Sequence, residues 1–176
     1  MSLILDQLAG ALNPERPEAL LIGGQALPLY GVVRQTVDID CLAATVGAAK
    51  LERTLVTAGY TLAGRSETVV RYRHPSPMLV DVDVLLVNEE TYDKLLRDSQ
   101  EWRTDESVWR VPSLPHLIAL KLHAMKNNPD RHGHDLADIR HLLQENPQAL
   151  TQVALQELCI EFGPPGILAE LERTGQ

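Results

Sequence analysis

Gly23-Gly24-Gln25-Ala26-Leu27-Pro28-Leu29-Tyr30-Gly31-Val32-Val33-Arg34-Gln35-Thr36-Val37-Asp38-Ile39-Asp40 is the stretch on which the fold turns. It opens on a glycine pair and ends on two acids separated by one apolar residue. The preceding Ala19-Leu20-Leu21-Ile22 is a continuous apolar run that stops at the glycines, the pattern of a short buried strand feeding a turn. Residues 25–30 then predict a short helix closed by Gly31. Residues 36–42 predict a second strand, in which Val37 and Ile39 face one side and Asp38 and Asp40 the other. The glycines allow backbone N–H groups to approach an anion where a helix begins. Two acids on one strand face lie about 6–7 Å apart and repel each other unless a cation or hydrogen-bond donors hold them. Such a pair can hold one or two hard divalent cations, and Mg²⁺ prefers carboxylate and phosphate oxygens.

A second acid set stands at Val80-Asp81-Val82-Asp83-Val84-Leu85, again alternating with apolar residues. It falls in a predicted strand over 78–87, joined through the Pro75-Ser76-Pro77 turn to another over 68–73. Set beside the 36–42 strand, it brings three or four carboxylates together. With a nucleoside triphosphate, that is the layout for two-metal phosphoryl or nucleotidyl transfer. One acid of the second strand can then serve as general base on an incoming hydroxyl.

The rest of the chain frames this core. Residues 3–12 have the spacing of a short amphipathic helix, ended by Asn13-Pro14 and Pro17. Thr45 is placed to cap a helix through Leu51 and Leu55 that stops at Gly59. Residues 90–98 predict another helix, and 102–104 with 108–111 a hairpin across Asp105-Glu106-Ser107. From Ser113, which can cap a helix with Pro115 in its first turn, the pattern becomes wholly helical. Helices are expected from Leu114 to Met125, around Leu136–Leu143, over 151–162, and beyond the Gly163-Pro164-Pro165-Gly166 break. Strands mixed with helices, followed by helices alone, indicate an α+β fold. We expect a small mixed sheet flanked by helices over 1–112 and a helical part over 113–176, together one domain spanning 1–176.

Composition narrows the functional classes. The 176 residues carry a net charge of −8, with 44% apolar, 23% charged and 4% aromatic residues. The acidic balance argues against binding nucleic acid by blanket phosphate neutralisation, and so few aromatics make a base-stacking platform a poor fit. The longest apolar runs fall well short of the roughly 18 residues a membrane span requires. Met1-Ser2-Leu3-Ile4-Leu5-Asp6 lacks the basic start of a secretory signal, so a cytoplasmic location without membrane partners is expected. The two cysteines, Cys41 and Cys159, are far apart and read as buried thiols.

The glycine pair, then Gly31-x-x-Arg34-x-Thr36-x-Asp38-x-Asp40, then an acid on a later strand, resembles the polymerase-β-like nucleotidyltransferase superfamily. Within it the chain looks most like the minimal and AbiEii-type nucleotidyltransferases, several of which are toxins of toxin–antitoxin pairs. Leu117-Ile118-Ala119-Leu120-Lys121-Leu122-x-Ala124, followed by Arg131-x-x-x-Asp135-x-x-Asp138-x-x-x-Leu142-Leu143, is similar to the helical segment of the same group. The resemblance implies that Gly23 and Gly24 sit against the triphosphate. It implies that Asp38 and Asp40 bind metal, with Asp83 as third carboxylate and Asp81 as its alternative. Asp83 is preferred because Val84-Leu85-Leu86 follows it directly, as in the family. Arg34 and Thr36 would support the acid strand or the phosphates, and Lys121 would reach the triphosphate. Gly24 stands where the family often has serine, which removes a hydroxyl contact but keeps the backbone cradle.

The expected activity is therefore a Mg²⁺- or Mn²⁺-dependent transfer of a nucleotidyl group from a nucleoside triphosphate to a hydroxyl acceptor. The acceptor is a tRNA end, a protein or a small molecule, and an antitoxin partner follows from the family alone. The alternative is a catalytically degenerate binding or antitoxin-like module on the same fold. Simpler readings stand beside several residues. Lys121 also fits a lysine snorkelling from the core edge, and Arg65, Arg71, Arg73 and His74 fit either a substrate-phosphate patch or a solvated strand face. His134-Asp135 suggests a metal-dependent phosphohydrolase, but no aspartate follows Asp138 to complete that pattern. Asp135 and Asp138 better serve to anchor their helix start or to fix Arg131 or Lys121.

Overall fold

The computed structural model describes residues 18–103 and 108–173. The helix expected over 3–12 and the Asp105-Glu106-Ser107 turn lie outside the described residues. The chain forms two compact units. One comprises the described residues through Ala26 together with Arg34–Pro112, and the other Leu27–Val33 with the described residues from Ser113 onward.

The first unit is built on a five-stranded sheet of β1 (Leu20–Ile22), β2 (Asp38–Ala44), β3 (Thr61–Arg65), β4 (Val69–Arg73) and β5 (Asp81–Val87), in the order β1-β2-β5-β4-β3. The β2–β5 pair is parallel and the other three pairs are antiparallel, so the sheet is mixed, as expected. The period-two pattern divides its faces. Ile39, Cys41, Val70, Tyr72, Val82 and Val84 are all buried on one side. Asp38, Asp40, Asp81, Asp83, Arg71 and Arg73 occupy the other. Burying one face of an antiparallel or mixed sheet while the other meets solvent produces this clean alternation. The all-apolar β1 is buried at every position, as its unbroken Leu20-Leu21-Ile22 run requires.

The glycine pair begins a single α-helical turn, α1 (Gly23–Ala26), and the chain passes to the second unit through a 3₁₀ turn over Leu27–Tyr30. The helix α2 (Ala48–Thr57) buries Leu51 and Leu55, and Gly59 ends it with φ +93°, a conformation that a Cβ disfavours. Thr45 does not cap this helix. Its hydroxyl donates to the Val87 carbonyl at 3.0 Å, and a 3₁₀ turn over Thr45–Gly47 leads in instead. The helix α3 (Glu89–Arg97) starts properly: the Asn88 side chain accepts from the Thr91 N–H, and Glu89 and Glu90 occupy the positive end of the helix dipole. A separate hairpin pairs β6 (Gln100–Arg103) with β7 (Val108–Val111) and sets Trp102 opposite Trp109.

The second unit holds α4 (Leu114–Asn127), α5 (His132–Glu145), α6 (Gln152–Phe162) and α7 (Ile167–Glu172). Thr151 caps α6 by accepting from the Ala154 N–H. Ser113 makes no such bond to its helix; its hydroxyl pairs with the His116 ring at 3.1 Å. The Asn146 amide donates both to the Leu142 carbonyl and to the Tyr30 carbonyl, which ties the 27–33 segment into this helical unit.

Cys41 and Cys159 are free and buried. Burial pushes the Cys41 thiol up to about 12, with Asp40 adding to the effect. Since the thiolate is the reactive form, neither thiol should react with an aromatic disulfide reagent at pH 8 while the chain is folded. Both should react in denaturant. Rapid native labelling of Cys41 would contradict the packing of β2.

Candidate active site

The carboxylate face is created by strand register. In the parallel β2–β5 pair, Asp38 stands opposite Asp81 and Asp40 opposite Asp83. Neighbouring strands lie about 4.8 Å apart, so four acids drawn from two distant segments share one patch. Sequence alternation placed each pair on a face; only the pairing of β2 with β5 brings the pairs together.

The glycine turn is fitted to this patch. Gly23 has φ +64°, and a Cβ there would stand 2.7 Å from the Asp40 Cβ. Gly24 is equally tight, since its Cβ would stand 2.9 Å from both the Thr36 Cβ and Oγ1. The glycines therefore do more than free backbone N–H groups for an anion: they make room for Asp40 and for the Arg34–Thr36 segment. Thr36 in turn donates its hydroxyl to Asp38 Oδ1 at 2.9 Å, which fixes the first acid. Arg34 donates to the Gln35 carbonyl, close to Gly24. Gly23→Ala should cost about 1–2 kcal/mol from the left-handed backbone alone. It should also displace Asp40 and weaken the nucleotide binding expected from the sequence at least about tenfold, measurable by calorimetry. Wild-type affinity in that variant would separate the turn from the acid.

Two arginines complete the face. Arg71 Nε donates to Asp83 Oδ2 at 3.3 Å and Arg73 Nε to Asp81 Oδ2 at 3.1 Å. Both guanidinium groups are well exposed, so each pair contributes only about 0–1 kcal/mol. Asp83 is the more enclosed of the two β5 acids, 29% against 46% exposed. Burial pushes its carboxyl above the usual range, Arg71 pulls it back, and Asp38 and Asp81 push it up again, leaving it raised.

The expected basic patch is divided. Arg71 and Arg73 lie on the acid face, whereas Arg65 pairs with Glu52 of α2 and His74 packs edge-on against Tyr60. Lys121, expected at a triphosphate, is 5% exposed in the helical unit. Its ammonium lies 3.1 Å from Asp135 Oδ1 and 2.6 Å from Asp138 Oδ2, and Arg131 holds the other Asp135 oxygen at 3.1 Å. Of the two roles the sequence offers these acids, anchoring a helix start or fixing Arg131 or Lys121, the ion pairs match the second.

The donor set on the sheet is all carboxylate oxygen, which suits a hard divalent cation rather than zinc or copper. Among the described residues, no three Asp, Glu, His or Cys side chains converge closely enough to hold an ion as they stand. Asp83 is engaged by Arg71 instead. No helix among them is long and apolar enough to cross a membrane.

Comparison with known proteins agrees with this architecture. The antibiotic-resistance factor ANT(2″)-Ia shares the fold with a TM-score of 0.66 at 15% identity, over 90% of this chain and 89% of that one. An antigenic nucleotidyltransferase-like protein from Paracoccidioides brasiliensis matches with a TM-score of 0.57 at 18% identity, over 96% and 90%. The lincosamide antibiotic adenylyltransferase LnuA matches at 0.52 and 16%, over 73% and 87%. Comparison with curated protein sequences gives no significant match. The model of one sequence family covers residues 6–173: nucleotidyl transferase AbiEii toxin, type IV toxin–antitoxin system. With a mixed sheet, a glycine turn closed over Asp40 and paired acids on adjacent strands, the chain belongs to the AbiEii nucleotidyltransferase family.

Proposed function

We propose that the chain transfers a nucleotidyl group from a nucleoside triphosphate to a hydroxyl acceptor, and that it does so as the toxin of a toxin–antitoxin pair. The observation that carries the reading is the register of Asp38 and Asp40 against Asp81 and Asp83, beside a glycine turn that only glycine can make. Asp38, Asp40 and Asp83 would hold Mg²⁺ or Mn²⁺, which supplies charge neutralisation for the phosphates and activation of the acceptor oxygen. Thr36 orients Asp38, and Gly23 leaves Asp40 the space it occupies. Gly23 and Gly24 offer backbone N–H groups to the triphosphate. Arg34, beside them, adds positive charge. The acceptor is a tRNA end, a protein side chain or a small molecule, met in the cytoplasm.

One observation favours a second reading, a binding module that has lost turnover. Asp81 and Asp83 are already neutralised by Arg73 and Arg71, and no three donors converge among the described residues. Calorimetric titration of the four nucleoside triphosphates, with and without Mg²⁺, separates the two. Metal-dependent binding that disappears in Asp38→Asn/Asp40→Asn supports the transferase. Absence of binding to every triphosphate, in a folded chain, supports the module.

A further inference from the structure

Arg71 and Arg73 occupy the one face of the sheet where a nucleotidyltransferase would place its cations. Each is held by a β5 acid through Nε, leaving the rest of the guanidinium exposed: the two side chains are 67% and 72% exposed. The two are not equivalent. Arg71 is the register neighbour of Asp83, the more enclosed acid, which stands directly opposite Asp40. Arg73 holds Asp81, the more exposed acid, opposite Asp38.

Arg71 also has somewhere to go. On its far side its register neighbour on β3 is Gly64, and a Cβ built there would meet nothing within 4 Å. Gly64 itself sets no side chain against a swing away from Asp83. An exposed, single-bonded pair of this kind is weak and screened by water. Asp83 accepts from one guanidinium in a patch with three further acids, so the arginine supplies part of the positive charge that the patch needs.

We propose that Arg71 is an exchange partner for the divalent cation. It holds Asp83 while no cation is bound, and it gives up that carboxylate and swings toward the Gly64 edge when a cation takes it. This inference rests on the proposed transferase reading. Arg71 is then a positioning residue that sets cation affinity through Asp83. Arg73, on the acid the cation does not need, has no such part.

The test follows Mn²⁺ binding by electron paramagnetic resonance, alone and with a non-hydrolysable nucleoside triphosphate, on the full chain. Arg71→Gln should tighten Mn²⁺ binding about three- to fivefold, in proportion to the loss of a weak competing pair. Arg71→Lys, which keeps the competing charge, should stay within about twofold of wild type, as should Arg73→Gln. A field effect of positive charge in general would move Arg71→Gln and Arg73→Gln alike, and that result overturns the proposal. In the same chain, the Arg71 Nε–H resonance should shift when Mg²⁺ saturates the site. An unmoved resonance at saturation overturns the proposal too. Absence of Mn²⁺ binding by the wild type in both states overturns the cation part of the transferase reading, and this inference with it. Mn²⁺ binding that is lost in Asp38→Asn but indifferent to Arg71→Gln overturns this inference alone.

Discussion

Replacing Asp38 and Asp40 together by asparagine should lower nucleotide transfer at least about a thousandfold, a loss of about 4 kcal/mol in transition-state stabilisation. Thermal stability should be unchanged or slightly raised. Both halves follow from the same geometry. The two carboxylates sit on one face of β2, opposite Asp81 and Asp83, so four like charges are crowded, with Arg71, Arg73 and the Thr36 hydroxyl among their counterweights. Asparagine keeps the shape of aspartate and removes its charge, which relieves repulsion in the folded state. Groups that meet charge developing on phosphoryl oxygens, directly or through a bound cation, are each worth several kcal/mol to the reaction. The variant should therefore fold and fail. The measurement is release of pyrophosphate and retention of α-phosphate label in RNA, protein and small-molecule fractions, alongside a thermal melt. Label transfer within tenfold of wild type, with the melt unchanged, would remove these acids from the reaction. A variant that melts much earlier would show that Asp38 or Asp40 holds the sheet together rather than serving chemistry.

The acid strands could be read from the chain because a strand with one wet face announces itself by alternation: Val37 to Asp40 and Val80 to Val84 each carry the period of two. Their juxtaposition was legible only through the family resemblance, which joins Asp83 to Asp38 and Asp40. It depends on a parallel pairing between segments some forty residues apart, and a local pattern carries no register. The same limit hid the arginine–aspartate pairs, since Arg71 meets Asp83 only through the β4–β5 register. The strand β3 left no readable signal at all. Its residues are mostly exposed, it contains Gly64, and its register shifts between Leu62 and Gly64, so neither alternation nor a buried run marks it. Helix starts misled in a consistent way. Thr45 and Ser113 are good N-cap residues by type, but each hydroxyl found a nearer partner, the Val87 carbonyl and the His116 ring. Asn88, by contrast, caps its helix. Short hydroxyl side chains serve whichever partner comes within reach, local for Ser113 and distant for Thr45, so type alone does not decide their role.

Lys121→Met should destabilise the chain by about 3–5 kcal/mol, the cost of breaking a buried pair by removing one partner. Lys121, Asp135 and Asp138 are 5%, 1% and 2% exposed, and they join α4 to α5 within the helical unit. Asp135 keeps a second cation, since Arg131 holds its other oxygen. Asp138 loses the ammonium that lies 2.6 Å from it. A carboxylate left in that environment must either stay charged without this partner or take up a proton, and both cost free energy. The double variant Lys121→Met/Asp138→Leu tests the cause. If the loss comes from a buried carboxylate deprived of the ammonium, an apolar pair of similar volume should restore much of the stability. If it comes from packing of the long lysine stem, the double variant should be no better than the single. Urea unfolding of the three proteins distinguishes these outcomes. The same series decides the role of Lys121 in the reaction. A double variant that is stable and still binds nucleoside triphosphate with wild-type affinity makes the lysine a structural tie between two helices. A double variant that is stable and no longer binds returns it to the triphosphate, with Asp135 and Asp138 as the acids that hold it when no nucleotide is there.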